Sequence, residues 1–406
     1  MELLEYNIVD ALDALIDYRG RTPKKSEKGI PTLSAKSVKM GYIDYNQCYY
    51  ISKEEYDSFM VRGFPQKGDI LFTTEAPLGV VAKLDRDDVA VAQRLLTLRG
   101  KKGVLDNDFL LYYLQSSEGQ QRIMAKQSGS TVMGIRQEEF RKINILIPSY
   151  EEQKKIASVL SALDDKIALN KKMNQKLEAM AKRLYDYWFV QYDFPDKNGH
   201  PYKTTGGPMT YSPTLKRQIP LGWDDGVLSD IANITMGQSP DGASYNEDGE
   251  GMIFYQGSTD FGMRFPTVRQ YTTAPTRFAK KGDILMSVRA PVGAVNIANT
   301  DCCIGRGLSA LNSKLGSLSH LYFLIDVFKK TFENKNTVGT TFGSITKDEL
   351  YALPVVIPDK NVIAQFEKMA KPIFDRQMKL GEESNRLTKL RDKLLPLLMN
   401  GQVVVG

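Results

Sequence analysis

Cysteine and histidine are both scarce in this chain. Its three cysteines, Cys48 and the adjacent Cys302 and Cys303, cannot build a disulfide framework and lack the C-x-x-C spacing of a zinc site, so a reducing cytoplasm is the expected compartment. His200 and His320 are the only histidines, and neither has a neighbouring His or Cys cluster for a metal or a triad partner. No run approaches the roughly 20 apolar residues of a membrane span. The stretch from Met1 to Asp17 has no Lys or Arg ahead of its apolar residues, so neither a secretory leader nor a membrane anchor is expected. Charge of one sign is also in short supply. Fifty-four Lys plus Arg against 48 Asp plus Glu leave a net +6, which admits a nucleic-acid partner without requiring one. Phosphate-loop chemistry is missing too: Gly129-Ser130-Thr131-Val132-Met133-Gly134 runs on into Ile135-Arg136 rather than Lys-Ser/Thr, and no G-x-G-x-x-G or Asn/Asp-Pro-Pro-aromatic segment occurs. The chain is expected to have no catalytic centre, to hold no metal and to bind no cofactor of its own.

What is present is written twice. A length of 406 residues exceeds one ordinary core, and an internal repeat accounts for the excess. Lys67-Gly68-Asp69-Ile70-Leu71 followed by Ala76-Pro77-Leu78-Gly79 returns as Lys281-Gly282-Asp283-Ile284-Leu285 and Ala290-Pro291-Val292-Gly293. Upstream, Gly20-Arg21-Thr22-Pro23 matches Gly237-Gln238-Ser239-Pro240; downstream, Gly129-Ser130-Thr131 with Ile135 and Pro148 matches Gly339-Thr340-Thr341 with Ile345 and Pro358. Within a half, Ile70 to Thr73, Leu95 to Leu98 and Ile143 to Ile147 are short apolar runs with β-branched content and read as strands. Phe109 to Leu114 and Leu321 to Phe328 read as helical faces. The Lys-Gly-Asp turns are expected to be structural, closing a loop ahead of a buried strand.

Each half is followed by a long helix. Ile156, Leu160, Leu163, Ile167, Leu177, Ala181, Leu184 and Trp188 step by four and three, the heptad spacing that keeps one seam toward a partner helix. Asn170 and Asn174 fill the middle of that stripe, and the spacing alone leaves open whether they face water or lie buried and fix register. The second copy places Phe366, Ala370, Ile373, Gln377, Leu380, Ser384, Leu387, Arg391, Leu394 and Leu398 on the equivalent stripe, with Pro372 expected to begin or kink the helix. The adjacent carboxylates Asp164 and Asp165 read as a solvated helix face. Gln191 to Asp225, rich in Gly and Pro, reads as a connecting loop. The expected organisation is domain one over 1–150, a helix over 151–190, a connection over 191–225, domain two over 226–358 and a helix over 359–400. The fold class is α/β, with two pseudo-repeated domains and two long helices pairing antiparallel.

This layout resembles the specificity subunit of type I restriction–modification systems. The residues carrying the resemblance are Gly237-Gln238-Ser239-Pro240 with Tyr245, the K-G-D-I-L strand with its Ala-Pro-x-Gly, Ile147-Pro148 leading into Glu152-Gln153-Lys154-Lys155-Ile156, Leu163-Asp164-Asp165-Lys166-Ile167, and Tyr187-Trp188-Phe189 ahead of Ile219-Pro220-Leu221-Gly222-Trp223. Two departures stand out: Glu75 occupies the place of Arg289 in the other half, and Asn361 to Gln365 replaces the Glu-Gln pair. The resemblance implies that each half reads one part of an asymmetric, split target in double-stranded DNA, with the helices holding the readers at a set spacing. It also implies two modification subunits that bring S-adenosylmethionine for adenine methylation, and restriction subunits joining through them. The alternatives are a scaffold that does not read DNA and, further off, a methyltransferase in its own right.

Base edges are read by directional donors and acceptors, and phosphates by cations and hydroxyls. Loop residues of those types in the first half are Arg21, Lys24, Lys25, Lys36, Lys126, Ser130 and Thr131. In the second they are Gln238, Ser239, Gln256, Ser258, Arg264, Arg289, Arg306, Lys335, Thr340 and Thr341.

Overall fold

A computed structural model describes residues 2–129, 133–337 and 343–405, apart from the side chains of 330, 331 and 333–337. The chain divides into two compact units, Met1–Ile167 with Arg386–Gly406, and Ala168–Asn385.

In the first unit β1 (Leu4–Asn7) begins the domain, followed by β2 (Leu12–Asp17), β3 (Ile30–Leu33), β4 (Ile70–Thr73), β5 (Val81–Lys83), β6 (Ala90–Val91), β7 (Leu95–Gly100) and β8 (Asn144–Ile147). The central antiparallel sheet runs β2-β7-β4-β5, while β1 pairs with β8. A short parallel pairing joins β3 to β6 through Thr32 with Ala90 and Leu33 with Val91. The second unit repeats this plan strand for strand, from β9 (Asp224–Val227), β10 (Ala232–Met236), β11 (Met252–Tyr255) and β12 (Ile284–Ser287) to β13 (Val295–Ile297), β14 (Cys302–Ile304), β15 (Leu308–Ser313) and β16 (Pro354–Ile357). Its sheet runs β10-β15-β12-β13, β9 pairs with β16, and β11 lies parallel to β14.

The continuous apolar run at the centre of each half has a physical cause. Successive side chains of a strand point to opposite faces. Ile70 and Phe72 enter one core with Phe109, Tyr113 and Phe140, whereas Leu71 enters a second with Leu33 and Val91. Ile284 and Met286 likewise face one core and Leu285 another. Strands covered on both faces need no polar alternation.

The Lys-Gly-Asp turns are structural. Gly68 and Gly282 adopt φ of 95° and 93°, a region that costs a side chain energy but suits glycine. Gly68 N donates to Leu84 O at 2.7 Å and Gly282 N to Ala298 O at 2.8 Å. Asp69 and Asp283 accept from the backbone N of Gln66 and Lys280 at 2.7 and 2.8 Å. Buried Asp69 also pairs with Arg99 at 2.7 Å.

Helix α1 (Asn107–Gln115) covers the first sheet and α3 (Leu318–Thr337) the second; α2 (Tyr150–Tyr185) and α4 (Lys360–Met399) are the long pair. The start of α2 is anchored by Gln153, which is fully buried. Its Nε2 donates to Val104 O and Pro148 O at 2.8 and 2.9 Å, and its Oε1 accepts from Asp106 N at 2.9 Å. In the first unit Ile156 and Leu160 share a core with Leu394 and Leu398, with Leu163, Ile167 and Leu387 half-buried. Asp164 accepts from Tyr112 Oη at 2.9 Å and Arg391 at 2.8 Å, so the expected solvated face at this position is instead a contact between helices.

In the second unit Leu380 is buried, Leu177, Leu184 and Ile373 are half-buried, and Ala181, Tyr185 and Trp188 pack with Phe366 and Ala370. Asn170 and Asn174 are buried, settling the alternative left open by their spacing. Asn170 Nδ2 donates to Glu383 at 2.9 Å, and Gln377 Nε2 donates to Asn174 O at 3.2 Å and Glu178 at 2.9 Å. Opposite residues descend on α4 as they ascend on α2, so the pair is antiparallel here.

Pro372 does not begin α4, since the helix already starts at Lys360 and runs on to Met399. The proline is exposed, where water can take up the carbonyl it leaves without a donor one turn back. Gln191 to Asp225 is more ordered than a connecting loop. It contains an antiparallel hairpin, Met209–Ser212 with Arg217–Pro220, and Phe194 stacks between Tyr202 and Trp223 at 4.6 and 4.9 Å. His320 is buried in the same core, edge-on to Phe189 at 4.6 Å, and desolvation pushes its pKa down to about 3, keeping it neutral. Among the described residues no helix is long and apolar enough to cross a membrane.

Candidate nucleic-acid interface

Each sheet carries polar loop tips at the end where its central strand, β4 or β12, finishes. In the first unit the turn after β4, the residues entering β7 and the segment before Phe140 enclose a cleft of about 240 Å³ lined by Arg19, Thr74, Glu75, Gln93, Arg94, Ser128, Gly134, Ile135 and Arg136. Backbone bonds build it: Thr74 N donates to Arg94 O at 3.0 Å, and Ile135 N to Thr74 O at 2.9 Å. Arg19 Nη2 donates to Ile135 O at 3.2 Å. Arg94 adopts φ of 71°, a left-handed conformation that costs a residue with a Cβ about 1 kcal/mol or more and that clusters at functional sites. Its Nε contacts Glu75 Oε1 at 2.7 Å, with about half of the arginine side chain exposed.

Elsewhere in the first unit, the Arg21 guanidinium lies over the Phe59 ring at 5.3 Å and the Lys25 ammonium over Tyr49 at 5.0 Å. Lys24 and Lys36 are exposed and Lys126 is half-buried. Ser130 and Thr131 lie outside the described residues.

In the second unit Gln238, Gln256, Arg289 and Arg306 are exposed, and Ser239 and Ser258 half-buried. Gln238 N donates to Ile304 O at 3.0 Å and Arg306 N to Ser239 Oγ at 3.3 Å, which brings these three side chains to one place. Gln256 joins them: a Cβ added to Gly307 would stand 2.6 Å from its carbonyl oxygen. Arg289 sits on a bridge with Ser344. The side chain of Lys335, together with Thr340 and Thr341, lies outside the described residues.

Arg264 turns inward instead. It is 4% exposed, with its guanidinium over the rings of Phe374 and Tyr322 at 4.1 and 4.5 Å and Nη1 donating to Glu178 at 2.8 Å. It ties the loop before β12 to the helix pair and presents nothing to a ligand at the loop tips.

Arg19, Gln93, Arg94 and Arg136, which line the first cleft, are not among the loop candidates that residue type alone singles out. Alignment on strand β15 gives the missing signal, because Gln93 and Arg94 precede Leu95 as Arg306 and Gly307 precede Leu308. What converges in both units is guanidinium, amide and hydroxyl groups, the set that bonds bidentately to base edges and phosphates. Among the described residues no group of three His, Cys, Asp or Glu is placed to hold a metal ion.

Paired α/β domains with directional donors at corresponding loop tips define a class, the two-domain recognition protein. The particular family follows from comparison. The chain matches the type I restriction modification DNA specificity domain over residues 15–179 and again over 220–392. It is similar to the provisionally named type I restriction enzyme MjaX specificity subunit of Methanocaldococcus jannaschii, at 30% identity over 83% of this chain and 79% of the relative. It is also similar to the HindI specificity subunit of Haemophilus influenzae, at 23% identity over 83% and 87%. A crystal structure of the type I restriction–modification S subunit from M. genitalium shares the fold, with a TM-score of 0.63 at 17% identity over 98% of this chain and 96% of that one. The chain belongs to the type I restriction–modification specificity-subunit family, whose members are non-catalytic components.

Proposed function

We propose that each α/β domain of this chain reads one half-site of an asymmetric bipartite DNA target and that α2 and α4 set the spacer between the half-sites. Methyltransferase subunits carrying S-adenosylmethionine dock on the chain, and restriction subunits join through them. One observation carries this reading. The two domains keep the same backbone bonds at the loop tips, as in Thr74 N to Arg94 O and Val288 N to Gly307 O at 3.0 and 2.9 Å, yet differ in the side chains mounted there. A shared frame with unlike tips reads two unlike sequences. The test is coexpression with the cognate methyltransferase subunits in a host lacking other adenine methylation, followed by genome-wide mapping of N6-methyladenine. A single bipartite motif with unlike halves is expected; methylation that is absent, or scattered without a motif, rejects the proposal.

A further inference from the structure

The unlike side chains can be taken one step further, to a particular base pair. Three slots on the shared frame hold different chemistry in the two halves. The residue on the bridge after the central strand is Glu75 in the first, paired with Gly134, and Arg289 in the second, paired with Ser344. The two residues ahead of β7 and its counterpart β15 are Gln93-Arg94 in the first and Arg306-Gly307 in the second. The first half thus has an acid where the second has a base, and an arginine where the second has no side chain at all.

We infer that Arg94, held by Glu75, reads a guanine in the first half-site; this rests on the reading of the domain as a DNA reader. Three features of the pair carry the assignment. Arg94 keeps its large cationic side chain at a backbone φ of 71° that glycine would occupy without penalty, so the side chain has a use at that spot. Glu75 Oε1 lies 2.7 Å from Nε of the guanidinium, and about half of the arginine side chain stays exposed. An exposed guanidinium is the group that bonds bidentately to guanine O6 and N7. The surrounding cleft supplies Arg19 and Arg136, cations suited to the flanking phosphates. Glu75 is a positioning residue in this scheme, and Arg94 makes the base contact.

The test uses the complex with its methyltransferase subunits and a pool of duplexes randomised over the target length, selected by binding and sequenced. Arg94→Gly removes the side chain and relieves the backbone, so its melting temperature is expected to equal or exceed that of the unaltered protein. One G·C position of the first half-site should become degenerate, losing about 10- to 100-fold discrimination, while the second half-site stays unchanged. Arg94→Lys keeps the charge but loses the fork and should relax the same position. An unchanged motif in Arg94→Gly overturns the assignment. So does affinity that falls equally on all sequences and is restored by Arg94→Lys, since that pattern marks a phosphate contact. If the unaltered complex selects no bipartite motif, the domain reading itself has failed, and this assignment with it.

Discussion

Removing Asn170 to Lys176 from α2 and Gln377 to Glu383 from α4 in one variant is expected to shorten the unspecified spacer of the target by about three base pairs and to leave both half-site sequences as they were. Each block is one heptad, so the apolar stripe keeps its phase across the new junctions. The blocks also face each other, with Asn170 bonded to Glu383 and Gln377 to the Asn174 carbonyl, so no buried polar group of one is left facing an apolar residue in place of the other. At 1.5 Å per residue a heptad is roughly 10 Å of helix, against about 3.4 Å per base-pair step of DNA. Motif mapping by N6-methyladenine reads the result directly. A spacer of unchanged length in a folded, active variant removes the helices from the role of ruler.

The second large effect is on stability. Glu178→Ala leaves Arg264 buried against Phe374 and Tyr322 without its carboxylate and takes from Gln377 one of its two acceptors. An uncompensated cation that is 4% exposed is among the costlier defects a single substitution can make. Glu178 itself is partly solvated, which holds the loss near 3 kcal/mol. For a unit of this size that is a fall of about 6 to 12 °C in melting temperature by calorimetry. Glu178→Gln keeps an acceptor and should lose less than half as much. Asp57→Ala, which breaks the exposed Lys53–Asp57 pair, should leave the melting point where it is. Equal effects for Glu178→Ala and Asp57→Ala would mean that the Arg264 contact contributes no more than surface charge.

Much of this architecture is legible in the residues, and the gaps have physical causes. The strand at Ile70 is plain because burial on both faces writes an unbroken apolar run. The paired helices are plain because a seam repeats every seven residues. Asn170 and Asn174 were ambiguous because a polar residue on a stripe has the same spacing whether it faces water or a partner; only Glu383 and Gln377, far along the chain, decide it. The segment around Trp223 was read from its glycines and prolines, which mark turns, while the stacking of Phe194 on Trp223 and Tyr202 has no period to betray it. The candidate site was the least legible part. A loop arginine is a fair DNA-contact candidate from sequence, yet Arg264 lies inside and Arg94 at the tip, a difference set by which element each loop packs against. Arg94 was recoverable only by aligning the halves strand by strand until it fell opposite Gly307.

The central claim is that one domain reads one half-site, and the most direct measurement of it is the methylation motif of a chain whose second domain, residues 224–357, is replaced by a copy of residues 4–147. The two segments begin and end on corresponding strands, β9 with β1 and β16 with β8. The expected target has two half-sites of the same sequence, both equal to the half-site of the first domain. Retention of the original asymmetric motif by the altered chain would contradict it.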